Sequence, residues 1–284
     1  MKISISVIIL TYNEELNLEN CLKNIADWVN EIIIVDSFSS DKTLEIAKKY
    51  TSKIVKHSFV NQAEQFNWAL DNLEIKNDWI LRLDADEHLT EELKKEISQT
   101  LINADKKLID ADNISINQQN QHESACAVNG YYIKRRVYFM GRFIKHGGYY
   151  PAWILRLFKK GEARSEEREM DEHIILLAGQ AGKLNNDFID DNKQSLNRWI
   201  EKHNSYSLRE AEAAIKENYG GKKNRAFYYK LPLFCRAFLY FVYRYFFRLG
   251  FLDGKEGLIF HFLQGFWYRF LVDAKIHEIK KAKS

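Results

Sequence analysis

Residues 77–87 read Asn77-Asp78-Trp79-Ile80-Leu81-Arg82-Leu83-Asp84-Ala85-Asp86-Glu87. The apolar part of this stretch predicts a buried β-strand, which ends where three carboxylates fall within four positions. Side chains alternate along an extended chain, so Asp84 and Asp86 are expected on the same side of the backbone. Two converging carboxylates can hold a hard cation such as Mg²⁺ or Mn²⁺ together with substrate phosphates. An isolated Asp-x-Asp is more often a solvated acidic turn, so the rest of the chain decides the interpretation.

The residues before this stretch alternate between apolar runs and helical patterns. Near-continuous apolar runs at 4–10 and 31–35 predict buried strands, and a weaker strand is expected at 53–56. Between the runs, apolar residues recur at helical spacing, as Leu18 and Leu22 do. This β-α-β-α-β-α-β order predicts an α/β fold with a mostly parallel central sheet flanked by helices.

Polar side chains follow three of the predicted strands at the point where each strand ends. They are Thr11, Tyr12, Asn13 and Glu14 after the first strand, Asp36 after the second, and Asp84 and Asp86 after the fourth. Ligands of such sheets bind beyond the carboxyl ends of the strands. The sequence has no G-x-G-x-x-G after the first strand and no P-loop, which argues against a dinucleotide fold. Phosphate is therefore expected to be neutralised by a metal ion and cationic side chains.

Composition limits the class of protein and its compartment. The formal net charge of +3 does not indicate a nucleic-acid-binding protein. The cysteines Cys21, Cys126 and Cys235 are odd in number and far apart, which argues against a disulfide framework or a zinc knuckle and favours a reducing compartment. No signal-peptide pattern or long apolar span is evident, so we expect a cytoplasmic protein that contacts a membrane from one side.

Four motifs together resemble the family 2 glycosyltransferases, which are inverting enzymes with the GT-A fold. They are Thr11-Tyr12-Asn13-Glu14, Val35-Asp36-Ser37, Gln65-Phe66-Asn67-Trp68-Ala69 and Asp84-Ala85-Asp86-Glu87. More narrowly, they resemble the bacterial lipopolysaccharide-core β-glucosyltransferase-like branch of the family. The resemblance implies that Asp36 receives the base and ribose of a nucleotide sugar, that Asp84 contacts the ribose or sugar, and that Asp86 ligates the metal ion on the diphosphate.

The resemblance also extends the set of expected site residues. Gln65 and Asn67 are expected to face the donor, although a helix surface suits both equally well, and Arg156 is expected to assist the diphosphate. The expected donor-binding residues are Thr11, Tyr12, Asn13, Glu14, Asp36, Gln65, Asn67, Asp84, Ala85 and Arg156, with Asp84 and Asp86 as metal ligands.

An inverting transferase needs a general base that takes the proton from the attacking acceptor hydroxyl. The resemblance implies an acidic residue in a loop close to Glu169-Met170-Asp171-Glu172-His173. Glu172 and Asp171 both remain candidates, and His173 is expected to position the base. The stretch is crowded with charge, so a solvated surface is the alternative for either residue.

The C-terminal part of the chain is basic and aromatic. No acidic residue lies between Glu217 and Asp253, where seven lysines and arginines are interleaved with phenylalanine and tyrosine. This composition predicts an amphipathic helical segment in the interface of an anionic membrane. The alternatives are a helical pair that covers the catalytic domain or a protein–protein patch, and no supporting module favours nucleic acid. The expected membrane contacts are Arg236, Arg244, Arg248, Phe238 and Trp267.

These patterns predict two parts of the chain. Residues 1–215 are expected to form a GT-A catalytic domain, with a nucleotide-binding half at 1–100 and an acceptor half at 128–215, and residues 216–284 to form the membrane-associating region. The polar segment 103–121 between the halves is expected to be an irregular insertion.

The predicted function is metal-dependent, inverting transfer from a nucleotide sugar, with uridine diphosphate (UDP) as the expected activating group, to a lipid-linked, lipopolysaccharide or capsule glycan. The enzyme is expected at the cytoplasmic face of the bacterial inner membrane, as a peripheral or monotopic protein. One alternative is a nucleotidyltransferase, although its usual glycine-rich basic loop after the first strand is replaced by Thr11-Tyr12-Asn13-Glu14. The other is a non-catalytic, membrane-associated nucleotide-sugar-binding protein.

Overall fold

A computed structural model of the chain describes residues 2–114, 128–166, 173–216 and 228–282. The contacts within it divide the chain into two compact units. The first unit contains the described residues up to Arg135 together with 153–166 and 173–190. The second contains 136–152 and the described residues from Asp191 onward. The division predicted at residue 215 does not coincide with this partition and stays a prediction.

The strands form one large sheet and one small sheet. In chain order they are β1 (Ile3–Thr11), β2 (Val29–Asp36), β3 (Ile54–Lys56), β4 (Trp79–Asp84), β5 (Glu87–Leu89), β6 (Val128–Phe139), β7 (Arg142–Phe143), β8 (Ala152–Lys159), β9 (Ala163–Ser165), β10 (Ile174–Leu176) and β11 (Gln180–Asp191). The order in the large sheet is β3-β2-β1-β4-β8-β6-β11-β5, with β7 paired to β6, and β9 pairs with β10.

The large sheet is mixed. Strands β1 to β4 pair in parallel, as the sequence predicts. Beyond them, β8 lies antiparallel to β4 and β5 lies antiparallel to β11. The expectation of a mostly parallel sheet therefore holds for the first four strands only. Crossover helices join β1 to β4, as parallel pairing requires, whereas β6 and β7 are joined by a short turn and pair antiparallel.

Helices flank the sheet and build most of the second unit. They are α1 (Leu18–Ile25), α2 (Thr43–Lys48), α3 (Gln62–Asn72), α4 (Glu91–Ile114), α5 (Leu196–Ile215), α6 (Cys235–Val242), α7 (Gly254–His261) and α8 (Tyr268–Ala282). Two π-helical stretches, Tyr243–Phe247 and Phe262–Trp267, follow α6 and α7, and Gly250–Asp253 is a 3₁₀ turn. The segment expected to be irregular from residue 103 is helical through Ile114, because α4 continues through good helix formers such as Ala104 and Lys106.

Both faces of the parallel strands are covered, which explains their continuous apolar sequences. Val7 and Ile9 of β1 pack on one face with α1, α2 and α4. Ile8 points to the other face and packs with Phe66 of α3. In register, Thr11 is paired with Asp36, and Leu10 is paired with Asp84. The packing therefore brings the ends of β1, β2 and β4 to the same level at one edge of the sheet.

The second unit has a helical core between α5 and α8. Ala211 of α5 packs with Tyr268, Val272 and Ile276 of α8. The Ser195 hydroxyl begins α5 by accepting a hydrogen bond from the Arg198 backbone N–H. In the described parts of the chain, no helix has both the length and the apolar composition that crossing a membrane requires.

Two of the arginines expected at a membrane are turned into the second unit. Arg236 is only 2% exposed, and its Nε donates to Asp273 Oδ1 at 2.7 Å. Arg244 donates to the Gly147 carbonyl and lies 3.8 Å from the Tyr149 ring centroid. The expectation for Arg236 is therefore wrong, because a buried guanidinium is stable only beside a carboxylate and Asp273 supplies one. Trp267 is half-buried, whereas Phe238 and Arg248 are exposed.

Candidate functional site

The polar strand ends meet at one edge of the first unit. Asp36 is in register with Thr11, and Asp84 is in register with the preceding residue Leu10, with β1 between β2 and β4. Adjacent strands are about 4.8 Å apart, so the backbones of Asp36 and Asp84 are separated by roughly 10 Å. The span suits a ligand with one group at Asp36 and another at Asp84, such as a nucleoside diphosphate.

Asp36 ties the ends of β1 and β2 together. Its Oδ1 accepts hydrogen bonds from the Thr11 hydroxyl at 3.0 Å and the Ser39 hydroxyl at 2.6 Å, and its Oδ2 accepts one from the Ser39 N–H at 2.9 Å. The side chain is fully buried. The Oδ2 atom keeps capacity for a second hydrogen bond, but a ligand reaches it only if the loop around Ser39 opens.

The loops after β1 and β2 are also joined directly. The Asn13 N–H donates to the Ser39 hydroxyl at 2.9 Å, and the Ser40 N–H donates to Asn13 Oδ1 at 2.8 Å. The Glu14 N–H donates to the Thr43 hydroxyl at 2.7 Å. Asn13 and Phe38 have positive φ angles of 55° and 59°, so both loops turn sharply at the strand ends. The two loops therefore form one hydrogen-bonded rim beside Asp36.

A buried arginine holds the acidic turn after β4. Arg156 Nη2 donates to Asp84 Oδ2 at 3.0 Å and to Glu87 Oε1 at 2.5 Å. Glu87 Oε2 accepts a hydrogen bond from the Asp84 N–H at 2.9 Å, which closes the turn. The Arg156 side chain is 6% exposed, so it lies behind the carboxylates. The sequence analysis expected Arg156 to assist the diphosphate. In the structure, Arg156 contacts the side chains of Asp84 and Glu87.

Asp190 is a site residue that the sequence patterns did not single out. Antiparallel pairing of β11 with β5 places Asp190 opposite Glu87. Arg135 Nη1 lies 3.7 Å from Asp190 Oδ2. The sequence shows only that the stretch 180–191 ends in acidic residues. The pairing of strands is needed to show that Asp190 lies beside Glu87. The site thus draws carboxylates from both the parallel and the antiparallel parts of the sheet.

Two buried carboxyl groups of this cluster have raised pKa values. Burial raises the pKa of Glu87 to about 8, against the opposing effect of Arg156, and the charges of Asp84, Asp190 and Asp86 raise it further. Burial also raises the pKa of Asp190 to about 7, and repulsion from Asp86 and Asp84 contributes to this shift. Burial and the neighbouring carboxylates therefore disfavour full ionisation of this cluster, and a bound cation would favour the ionised forms.

The donor atoms fit Mg²⁺ or Mn²⁺. Asp84 and Asp86 are both half-buried and offer carboxylate oxygens, the ligand type that hard divalent cations prefer. Among the residues that the structure describes, no three His, Cys, Asp or Glu side chains are arranged to hold a metal ion by themselves. Magnesium commonly takes one or two protein carboxylates and completes its shell with water and substrate phosphates. The pair Asp84 and Asp86 fits that mode.

The remaining predicted residues fall in different places. Gln65 Nε2 donates to the Ser37 hydroxyl at 2.6 Å, so Gln65 supports the loop after Asp36. Tyr12 is 53% exposed at the rim, and Ala85 is buried between the two aspartates. Asp171 and Glu172, the candidate bases, lie outside the described residues.

Asn67 is bonded to the backbone of β9. Its Nδ2 donates to the Ser165 carbonyl and its Oδ1 accepts from the Ser165 N–H, both at 2.9 Å. We expect Asn67→Ala to lower the free energy of unfolding by about 2 kcal/mol, because it removes two buried hydrogen bonds. Urea denaturation measures the loss, and Asn72→Ala, at an exposed position of the same helix, is the control. A change below about 0.5 kcal/mol would show that the pair is not needed for stability.

Comparison with known proteins assigns the family. The model of glycosyl transferase family 2 matches residues 6–159, which include the loop after β1, Asp36, the acidic turn and Arg156. An uncharacterized glycosyltransferase of Rickettsia bellii is 26% identical over 97% of this chain and 86% of its own length. The lipopolysaccharide core biosynthesis glycosyltransferase LpsC of Rhizobium meliloti is 26% identical over 98% of this chain and 93% of its own length.

A solved structure is similar over a shorter region. Glucosyl-3-phosphoglycerate synthase from Mycobacterium tuberculosis, in complex with Mg²⁺ and UDP, matches with a TM-score of 0.27 and 24% identity over 30% of this chain and 34% of that chain. The family match itself covers more than half of the sequence and includes Asp36, Asp84, Asp86 and Arg156. The mixed α/β architecture, with its central sheet flanked by helices, is consistent with the GT-A fold. This chain therefore belongs to glycosyl transferase family 2 and is a glycosyltransferase.

Proposed function

We propose that this enzyme transfers a sugar, with inversion, from a UDP sugar to a lipid-linked or lipopolysaccharide-type glycan at the cytoplasmic face of a bacterial inner membrane. The observation that carries the proposal is the acidic turn Asp84-Ala85-Asp86 at the end of β4, at the same sheet edge as Asp36, one register position from it and two strands away. A nucleoside at Asp36 would direct its diphosphate toward Asp84 and Asp86. The direct test is release of UDP from a panel of UDP sugars supplied with Mn²⁺ and a lipid-linked glycan fraction.

The nucleoside end of the site is built by the joined loops after β1 and β2. Opening of the loop around Ser39 would free Asp36 Oδ2 to accept a hydrogen bond from the base or ribose. The exposed rings of Tyr12 and Phe38 stand at the ends of these strands and offer faces for the base. In this assignment, Asn13 and Gln65 hold the loops in the conformation that receives the nucleoside.

The diphosphate end is built by the acidic turn. A divalent cation held by Asp86 and Asp84 would stabilise the negative charge that develops on the departing diphosphate. Arg156 and Glu87 orient Asp84 through its carboxylate and its N–H, so that the carboxylate is directed before substrate arrives. Their role is thus to position Asp84. Correct orientation matters because a reacting group displaced by about 1 Å can cost about a hundredfold in rate.

The general base is assigned to Glu172 or Asp171. We expect Glu172→Gln or Asp171→Asn to lower kcat by about 10²- to 10⁴-fold, since a positioned base contributes that factor. The KM for the donor should change little, because the base touches the acceptor. UDP-release kinetics measure both constants, and Glu169→Gln is a matched charge control in the same segment. Near-normal kcat in both variants would exclude these residues as the base.

The likeness to LpsC supports the class of acceptor. LpsC is a lipopolysaccharide core biosynthesis glycosyltransferase, and the similarity extends over nearly the full length of both chains. A transfer product with the opposite anomeric configuration to the donor sugar, observed by nuclear magnetic resonance, would establish inversion. Retained configuration would contradict the proposed single displacement.

A further inference from the structure

Large exposed hydrophobic side chains are concentrated in one segment of the second unit. Among the described residues, 24 such side chains are exposed, and half of them lie between Phe238 and Phe270. Scattered exposed hydrophobic residues are normal on a protein surface, whereas a continuous patch marks an interaction site.

The exposed rings of this segment form a continuous surface. Phe246, Phe251, Phe262 and Phe270 are exposed, and the half-buried rings of Phe241, Tyr245 and Phe266 connect them. The connecting ring contacts have centroid distances between 5.2 and 6.5 Å. We call these seven residues the aromatic face. Both π-helical stretches contribute to it, and such irregular turns occur frequently at functional sites.

The aromatic face is exposed, whereas two arginines of α6 and its π-helical continuation are bonded inside the second unit. Arg236 is paired with buried Asp273, and Arg244 is bonded to the Gly147 carbonyl. The segment therefore differs from the expectation in its arginines, because Arg236 and Arg244 are bonded within the second unit while the rings remain outside. A buried guanidinium is stable only with hydrogen-bonding partners, and Asp273 and the Gly147 carbonyl supply them.

The charge around the aromatic face is positive. Arg248 and Lys255 are exposed next to its rings in sequence. The nearby carboxylate Asp253 is 2% exposed and bonded to His146, and Glu256 is half-buried. A second copy of the same surface would bring like charges together. An anionic phospholipid surface would instead attract the cations and accept the rings.

We propose that the aromatic face docks the enzyme on the surface of a membrane that contains anionic phospholipid. The proposal rests on the proposed function, because it supplies contact with the membrane that carries the acceptor. Phenylalanine rings enter the boundary between headgroups and acyl chains, while Arg248 and Lys255 remain at the headgroups. The attachment is interfacial and reversible, since it depends on a few rings and charges.

Vesicle flotation of the full-length protein tests this proposal. The probes are vesicles of phosphatidylcholine alone and of phosphatidylcholine mixed with phosphatidylglycerol. We expect binding to the mixed vesicles, and a loss of affinity of about tenfold or more in Phe246→Ser/Phe262→Ser, because two rings no longer enter the lipid. Phe59→Ser/Val60→Ser, at two exposed hydrophobic positions of the first unit, is the matched control and should bind normally.

A second variant tests the charge. Arg248→Gln/Lys255→Gln should lose most of its preference for the anionic vesicles while keeping a normal melting temperature. Unchanged vesicle binding in both variants would overturn the proposal. So would a concentration-dependent dimer that the phenylalanine variant abolishes while the wild type fails to bind vesicles.

Donor turnover separates this proposal from the proposed function. Hydrolysis of the UDP sugar, measured without vesicles, should be the same in wild type and in both face variants. If the wild type turns over the donor but binds no vesicle, docking is wrong and the transferase assignment stands. If it binds vesicles through the face but turns over no UDP sugar, docking stands and the donor assignment is wrong.

Discussion

Asp86→Ala is expected to lower turnover of the UDP sugar by about 10³-fold, the upper range for losing one group that stabilises developing charge. Asp84 ends β4 and Asp86 lies in the turn after it, at the sheet edge where Asp36 ends β2, and carboxylate oxygens are the ligands that hard divalent cations prefer. Without Asp86 the cation would lose a ligand, and charge on the departing diphosphate would be poorly stabilised. The rate is measured as UDP release at saturating Mn²⁺.

Two variants control this experiment. Asp78→Ala removes an exposed carboxylate immediately before β4, at the other end of the strand, and should keep near-normal turnover. Asp86→Asn keeps the shape of the side chain, removes its charge and should resemble Asp86→Ala. Turnover within about tenfold of wild type in both Asp86 variants would be too small an effect for a metal ligand and would contradict the assignment.

Arg156→Met is expected to lower the free energy of unfolding by about 3 to 5 kcal/mol, which is typical when one partner of a buried ion pair is removed. The guanidinium is 6% exposed and is bonded to both Asp84 and Glu87, and Glu87 is 1% exposed. Its loss leaves the Asp84 and Glu87 carboxyl groups without their cationic hydrogen-bond donor, and buried Glu87 must then stay unpaired or take up a proton. Urea denaturation of the wild type and the variant measures the difference.

The matched control is an exposed arginine with a similar carboxylate partner. Arg164 donates to both oxygens of Asp71 at 2.7 and 2.8 Å, and both side chains are exposed. We expect Arg164→Met to cost less than about 1 kcal/mol, because exposed ion pairs are screened by water. A second comparison is Arg156→Met/Glu87→Gln, which should recover part of the stability by removing the unpaired charge. Equal effects of Arg156→Met and Arg164→Met would show that burial does not set the importance of Arg156.

Local sequence patterns were sufficient to predict the parallel half of the sheet. The runs at 4–10 and 31–35 correspond to β1 and β2, and the amphipathic spacing of Leu18 and Leu22 corresponds to α1. Parallel strands place their carboxyl ends at one edge, so the convergence of Asp36 and Asp84 followed from the same patterns. The family resemblance, which the match over residues 6–159 confirms, then identified this edge of the sheet as the expected nucleotide-sugar site.

Features that depend on distant partners were not predictable in this way. Asp190 joins the site only because β11 pairs with β5, about a hundred residues away in sequence. Arg236 was expected at a membrane because it recurs with other arginines along one stripe of the predicted helix. Periodicity identifies such a stripe but does not show whether it faces solvent or the protein interior. The decisive partner, Asp273, lies 37 residues later. Likewise, only the fold shows that Arg156 holds Asp84 and Glu87, and its expected role at the diphosphate stays a prediction.

The central claim is a metal-dependent site for UDP at the end of β4, and the most direct measurement is thermal unfolding with UDP, with and without Mn²⁺. A ligand at a hundred times its dissociation constant stabilises a protein by about 2.7 kcal/mol, which a melting curve detects readily. We predict that UDP with Mn²⁺ raises the melting temperature of wild type, that UDP alone raises it much less, and that Asp86→Ala abolishes the Mn²⁺-dependent part. An equal shift with and without Mn²⁺, or an unchanged response in Asp86→Ala, would contradict the account.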